Sequence, residues 1–595
     1  MASLRSALVA LAAALALADA SIVALALPPI LVELDTTITG AAAVVGVYAL
    51  VLALAILPAA RLDPGRAGVW GLALFAAASL GCAVAGSLGL LLVFRALQAL
   101  GGAAALLAAF HVLDAGASRE GRRLWLGAAL IGTAAGPAIG GALTEAFDWR
   151  AIFVVQAPLA ALAAWACRRP AVADERPVVD ESDHDVAPPE GGGLWSRGEP
   201  APPAPWDAPP PELARRDTAR ITELDVGARP RDRALDWSGF PPAEAGALAF
   251  TAAAFTAVLF LLVIELVAGF AVSPLRAALG VSVLPVAALA AAAVPGPARA
   301  KALAGAVLLA GGAGALAFLP AAGIAWTVVP QLLAGAGMGF ALPAFEGELL
   351  PARTVANAAQ NLFARHAGIV VVLAILAPVA TAELERTTGR AVLEGAALVL
   401  DAQIGPLRKI ELAPALLDDV DIDRPRAALQ DAVDSRRVDF ADDPAVYDRL
   451  AKRLDDVVVV AVKDAFQVAY LIAAALALLG GALLIRAWRR PIVLAAAALS
   501  AATVLVYAVE RGNQAPPPVT IQDPCQERAL PNAGGLTGAI QTEALRMLDR
   551  GACRFGTSRE EFTLALVDPD RAEEYEREHG VNPRELGGLL SLLGG

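Results

Sequence analysis

Apolar runs of about 20 residues recur along the chain between short polar turns, the length an α-helix needs to cross the hydrocarbon core of a bilayer. They fall at 7–30, 40–60, 67–86, 88–110, 124–145 and 150–167. A polar, proline-rich stretch interrupts the pattern, including APPAPWDAPPPE at 201–212, which is too polar for lipid and too rich in proline to build a core. The runs resume at 247–267, 273–295, 302–320, 324–345 and 366–380, then beyond a second polar stretch at 466–486 and 491–509. The pattern predicts thirteen spans, grouped as six, six and one. The first run contains Asp19, is longer than the apolar core of a signal peptide and leads directly into further spans, so it reads as a retained helix.

Lysine and arginine at the turns set the orientation. With the N-terminus in the cytoplasm, the inner turns carry Arg61, Arg66, Arg119, Arg122, Arg123, Arg168, Arg169, Arg299, Lys301, Arg353, Arg486, Arg489 and Arg490, while the outer turns carry Glu33, Asp35, Glu145 and Asp148. Arg150 and Arg276 are the outer exceptions. The predicted organisation is an N-terminal six-helix half (1–168), a disordered cytoplasmic linker (169–243), helices 7–11 (244–380), an extracytoplasmic helical insert (381–465), helices 12 and 13 (466–510) and a small extracytoplasmic C-terminal domain (511–595). The expected location is a plasma membrane, crossed many times, with the C-terminus outside.

Composition agrees with lipid as the solvent: 57% of the 595 residues are hydrophobic and only 18% charged. The net charge of -12 comes from the polar segments and does not describe a soluble acidic protein. No basic patch with interleaved aromatics points to nucleic acid. Four histidines, scattered at 111, 184, 366 and 579, offer no catalytic or metal-binding constellation, so neither an enzyme nor a bound cofactor is expected. DDVDID at 418–423 lacks the glycine and terminal glutamate of a calcium loop and reads as solvated acidic chain. Cys525 and Cys553 flank a predicted helix in a tail placed in an oxidising space; a disulfide between them is expected, two unrelated thiols being the other reading.

Three charges lie inside spans, where each costs about 2.5–3.5 kcal/mol on insertion scales and so marks a cavity or a partner. Asp19 has nothing nearby in sequence to neutralise it. Arg95 is either a clamp onto backbone carbonyls or Gln98, or a coupling residue. Glu265 is either functional, locally paired or snorkelling outward. The fifth run places Gly127, Gly132, Gly136, Gly140 and Gly141 at helical spacings around Pro137, which predicts a bent helix packing backbone to backbone.

These residues carry a family resemblance. DASIVALALP at 19–28 resembles the first-helix signature of the multidrug:proton antiporters of the major facilitator superfamily, particularly the group usually having fourteen spans. Arg95, Gln98, Gly101 and Ala103 resemble that superfamily's fourth-helix motif, with Ala99 replacing a glycine. GTAAGPAIGGAL is similar to the antiporter motif, and the following DWRAIFVVQAP to a stretch in which Gln156 takes an asparagine's place. Later, GFAVSPLRAALGVSVLP (269–285), VVPQLLAGAGMGFALP (328–343) and ARHAGIVVVLAIL (364–376) continue the likeness, with Glu265 where members often carry glutamine. The loop PAARLDPGRAGVWG keeps Arg61, Asp63, Gly65 and Arg66 of the superfamily's gating motif, but shortened.

The resemblance implies an all-α integral membrane fold, a 6+6 helix bundle here extended by a thirteenth span. It implies a secondary transporter exporting a small molecule, drug-like, metabolite or lipid, by alternating access on a proton gradient. Asp19, Glu265, Arg95 and Gln98 would couple proton and substrate, and the glycine face would act as the hinge. The shortened gating loop, the insert and the tail leave a second reading, a decayed core acting as a membrane scaffold or sensor that presents external domains to a protein partner. Neither the substrate nor the oligomeric state is legible.

Overall fold

The computed structural model describes residues 2–168, 240–404, 409, 424–440, 444–531 and 534–584. The linker from 169 to 239 and the acidic DDVDID run lie outside the described residues. Eleven helices are long and apolar enough to cross a membrane, and thirteen spans result when each of two bent pairs counts once. The protein is an all-α, many-span membrane protein.

The first span is the bent pair α1 (Ala2–Ile22) and α2 (Leu27–Glu33), turned by 45° through a short 3-10 segment. Pro28 and Pro29 lack the N–H groups that would continue α1, so the chain restarts there. Five spans complete the first half: α3 (Ile38–Ala59), α4 (Pro64–Ala83), α5 (Leu88–Val112), α6 (Arg119–Ala146) and α7 (Arg150–Arg168). Their short turns start each helix with a capping side chain. Thr37, Asp63, Ser87 and Ser118 accept backbone N–H groups of the first turns of α3, α4, α5 and α6. Around Pro137, α6 bends by 46°.

The second half contains α8 (Pro242–Ile264), which ends in a π-helical turn at Glu265–Gly269, the short pair α9 (Pro274–Val281) and α10 (Val283–Ala292), and α11 (Ala298–Ala317). Next come α12 (Ile324–Ala344), with a π-turn at Phe345–Leu349, and α13 (Val355–Asp401). After α14 (Pro425–Arg436), α15 (Pro444–Ala482) closes the half and α16 (Pro491–Asn513) forms the thirteenth span.

Two of these helices overrun the expected limits. The apolar run at 366–380 belongs to a helix of 47 residues, and that at 466–486 to one of 39. Hydropathy ends a span at a charge, but the backbone continues through Arg365 because its guanidinium finds partners within the bundle. The thirteenth span is bound into the bundle rather than appended loosely. Ser500 donates to the Val307 carbonyl at 3.1 Å, Tyr507 to that of Trp326 at 2.7 Å, and Arg511 to that of Ala317 at 2.8 Å. It covers α11, whose residues are nearly all buried.

Beyond the membrane, α13 and α15 continue side by side over Val399, Tyr447, Leu450 and Leu454. Arg426 on α14 grips Asp455 with two bonds of 2.7 and 2.8 Å. The tail folds into α17 (Gly535–Phe555), α18 (Arg559–Val567) and α19 (Pro569–His579) around Ala552, Phe562, Ala565 and Tyr575. Ser558 caps α18. Cys525 and Cys553 are joined by a disulfide, Cys553 lying within α17 rather than after it. The tail docks on the far end of α13, where the fully buried Arg559 meets Asp401 at 2.7 Å.

Candidate functional site

Asp19 sits one turn before the end of α1 and is wholly buried. The expectation that nothing nearby neutralises it holds only along the sequence, because Arg95 on α5 forms an ion pair with it. Arg95 is also a clamp: its Nε donates to the Val44 carbonyl at 3.0 Å and its Nη1 to Gln98 at 2.7 Å. Gln98 donates onward to Ser79 and Gln156, both at 2.8 Å, and Gln156 returns to Asp19 at 3.2 Å. The Tyr48 ring lies under the guanidinium, 4.5 Å from it, and its hydroxyl donates to the Ala16 carbonyl at 2.9 Å. The network joins four helices, α1, α3, α5 and α7, together with Ser79 of α4.

Glu265 occupies the first position of its π-turn, 1% exposed, and accepts the Tyr470 hydroxyl at 2.8 Å. Burial excludes snorkelling, and the local partner is a tyrosine rather than a cation. Further along α15, Lys463 donates to the Pro320 carbonyl at 2.9 Å, and Asp464 pairs with Arg511 at 2.5 Å.

Between the halves lies a cavity of about 60 Å³. Tyr48 and Thr133 face it from the first half, and Thr251, Phe255, Arg365 and His366 from the second. Neither Asp19 nor Glu265 is among its lining residues; Tyr48 is the wall shared by the cavity and the Asp19 network. Arg365 reaches across the halves, its Nη2 donating to Thr133 at 2.7 Å. Its other amino group stands 3.7 Å from Glu346, too far for a hydrogen bond. The His366 Nδ1 lies 2.8 Å from the Leu362 carbonyl; a carbonyl only accepts, so Nδ1 carries the proton there. Sequence reasoning passed over Arg365, His366 and Glu346 because each stands at the edge of an apolar run, where a charge looks like the end of a span.

Both ends of this cavity are bridged. On the face carrying the insert, Thr39 lies 3.4 Å from Thr381, and Glu145 accepts the Leu275 N–H at 3.2 Å. There, Gly141 packs so closely that a side chain on it would overlap Ala278. On the linker face, a side chain at Gly116 would overlap the Arg353 carbonyl, and Ala358, Ala359 and Leu362 of α13 join the apolar core of the first half.

The glycine face of α6 lies against α1: side chains at Gly132, Gly136 and Gly140 would collide with Ala14, Ser21 and Ile22 respectively. In the loop before α4, Asp63 accepts the Arg66 backbone N–H at 2.9 Å and so caps that helix, with Gly65 in its first turn. Arg61 and Arg66 are exposed and form no ion pair with other described residues. In the tail, His579, solitary in sequence, meets Glu561 at 3.0 Å with Glu578 at 3.9 Å.

Comparisons with known proteins identify the bundle. The family model described as Major Facilitator Superfamily matches residues 9–373. Among curated relatives, the multidrug resistance protein Stp of Mycobacterium tuberculosis is 36% identical over 153 residues, 24% of this chain and 28% of that protein. The uncharacterised transporter YvkA of Bacillus subtilis is 38% identical over 156 residues, 24% of this chain and 34% of its own. The tetracenomycin C resistance and export protein of Streptomyces glaucescens is 34% identical over 157 residues, 24% and 29% respectively. These matches span about a third or less of the relatives' length. A solved bacterial homologue of the human lysosomal transporter Spinster, inward-facing and unoccupied, is 17% identical over 82% of this chain and 99% of its own, with a TM-score of 0.46. With the family model covering more than half of its length, and a bundle of thirteen spans that brings the family-like motifs together, the chain belongs to the Major Facilitator Superfamily.

Proposed function

We propose that this chain is a secondary transporter that exports a small molecule by alternating access, coupled to the inward flow of protons. One observation carries the reading: a small cavity lies between two helical halves, and each half holds a wholly buried carboxyl, Asp19 in the first and Glu265 in the second. Protonation of Asp19 would break its ion pair with Arg95 and loosen the guanidinium, still bonded to Val44 and Gln98, over Tyr48, a wall of the cavity. Glu265 would exchange its proton against the Tyr470 hydroxyl. The cavity is far below the ~300–1,000 Å³ of ordinary ligand pockets, which suits an occluded stage between openings to either face. The relatives named for multidrug resistance and export support the direction.

The proposed orientation places the N-terminus and linker in the cytoplasm and the insert and tail outside a plasma membrane, where the Cys525–Cys553 disulfide would persist. The six segments expected from the sequence remain the proposed division, with α13 and α15 running through the limits at 380 and 465.

The test is reconstitution of the full chain in proteoliposomes under an imposed pH gradient, with a panel of fluorescent small molecules. Gradient-dependent flux is expected in the wild type and is expected to be lost in Asp19→Asn and Glu265→Gln. Wild-type flux in both variants would end the coupling assignment. Absence of flux for every compound would favour the scaffold reading, for which the gating arginines, without an ion pair among the described residues, and the docked tail speak.

A further inference from the structure

Among the described residues that line the central cavity, Arg365 alone carries a full charge, and it is 7% exposed. One arm of its guanidinium is fixed to Thr133. The other, Nη1, has no hydrogen-bond partner among the described residues. Glu346 stands 3.7 Å from that nitrogen, does not line the cavity, and leaves its own Oε2 unbonded. The pair therefore balances the buried charge without satisfying its donors, and an unmade bond to a buried charged group is costly. Apart from His366, the rest of the wall is apolar or hydroxylic, with Phe255, Leu259, Met338 and Ile369 beside tyrosine and threonine side chains.

We propose that the cavity receives an anionic amphiphile, a molecule with one carboxylate-like or sulfonate-like group on an apolar body, seated on the Arg365 guanidinium, whose Nη1, buried beside Glu346, turns toward the cavity to meet it. This rests on the reading of the cavity as a transport site. An acceptor oxygen at Nη1 makes a charge-assisted hydrogen bond that the protein alone leaves unmade, while the apolar wall takes the body. A cation of the same shape meets the guanidinium instead and finds no carboxylate on the wall. Because Arg365 belongs to the second half and Thr133 to the first, the seat lies across the seam at which the halves would part.

The test measures binding of tritiated 2-naphthoate to the purified full chain by scintillation proximity, with (2-naphthyl)trimethylammonium as the isosteric cation. Naphthoate should bind and the cation should compete weakly or not at all. Arg365→Gln combined with Glu346→Gln, which keeps the buried charge balanced, should weaken naphthoate binding about 10- to 100-fold, the worth of a hydrogen bond to a charged group. Arg365→Lys should recover part of the loss. Equal binding of the cation, unchanged naphthoate binding in the double variant, or no naphthoate binding by wild type would each overturn the assignment. Flux separates the two readings. Naphthoate that binds through Arg365 yet never crosses a proteoliposome membrane would leave the seat standing and remove the transporter.

Discussion

Asp19 and Arg95 are 76 positions apart and both fully buried. Removing either partner leaves the other charge buried alone, a change that costs about 3–5 kcal/mol, and removing Arg95 also strips its bonds to Val44 and Gln98. Arg95→Ala should therefore lower the thermal unfolding midpoint of the purified protein far more than Asp19→Asn does, since Arg95 keeps its bonds to Val44 and Gln98 in the second variant. Equal shifts in a tryptophan-fluorescence melt would show that the pair does not hold the half together. Asp19, Arg95 and Glu265 were conspicuous in the sequence because lipid makes any mid-span charge an anomaly. Arg365 and Glu346 were not, although their side chains are more than nine-tenths covered, because they stand where an apolar run ends. The pairing of Asp19 with Arg95 was equally hidden, being a property of how α1 and α5 pack.

Helix α6 shows how closely elements approach where side chains are absent. Its contact with α1 is made at Gly132, Gly136 and Gly140, whereas Gly127, on the same helix, has nothing within 4 Å of the place a Cβ would take. Gly136→Val should force α6 from α1 and reduce folded yield, while Gly127→Ala should leave yield unchanged or raise it slightly, since alanine is favoured over glycine by about 1 kcal/mol in a helix. Size-exclusion profiles of the two variants decide the point; similar behaviour would mean that the glycines do not set the packing distance. Gly141→Val addresses the other face, where Ala278 of the opposite half closes the seam. Folded yield should survive there and flux fall, if the seam must close in each cycle. The glycine spacing was readable from the sequence because small residues repeat at helical intervals. Its division of labour was not: the face turned to α1 and the single position turned to α9 look alike in a list of residues.

At the scale of the whole molecule, the additions outside the family pattern form a second structured body on the insert face. The tail meets the bundle where the buried Arg559 reaches Asp401; Arg528 on Asp549 ties the tail to itself, and beside the junction Lys409 donates to the Leu400 carbonyl at the end of α13. Burial pushes the Lys409 ammonium down from 10.5 to about 8, although Asp401 opposes the shift, and Arg559 adds to it. Between these values the opened state binds more protons than the closed one, so the closed state gains stability as pH rises from about 8 toward 10.5 and carries the full penalty below about 8. Limited proteolysis of the insert and tail should accordingly slow relative to Lys409→Met as pH rises through that window. A wild-type to variant ratio that stays flat would refute it. Thirteen spans were countable from hydropathy alone, since lipid imposes a length on each. The docking of the tail was not, because soluble packing leaves no comparable signature in so polar a stretch.

Helix α13 runs without interruption from the cavity wall at Arg365 to the tail's anchor at Asp401, a rod of ~54 Å at about 1.5 Å per residue. Pivoted in the membrane, such a rod is geared: a tilt of about 5° at the seam sweeps its far tip by ~5 Å, on the helix rise alone. The tail would ride on that tip. A binder that tethers the tail to a fixed surface would then brake the bundle from a distance, without coming near the cavity it stalls.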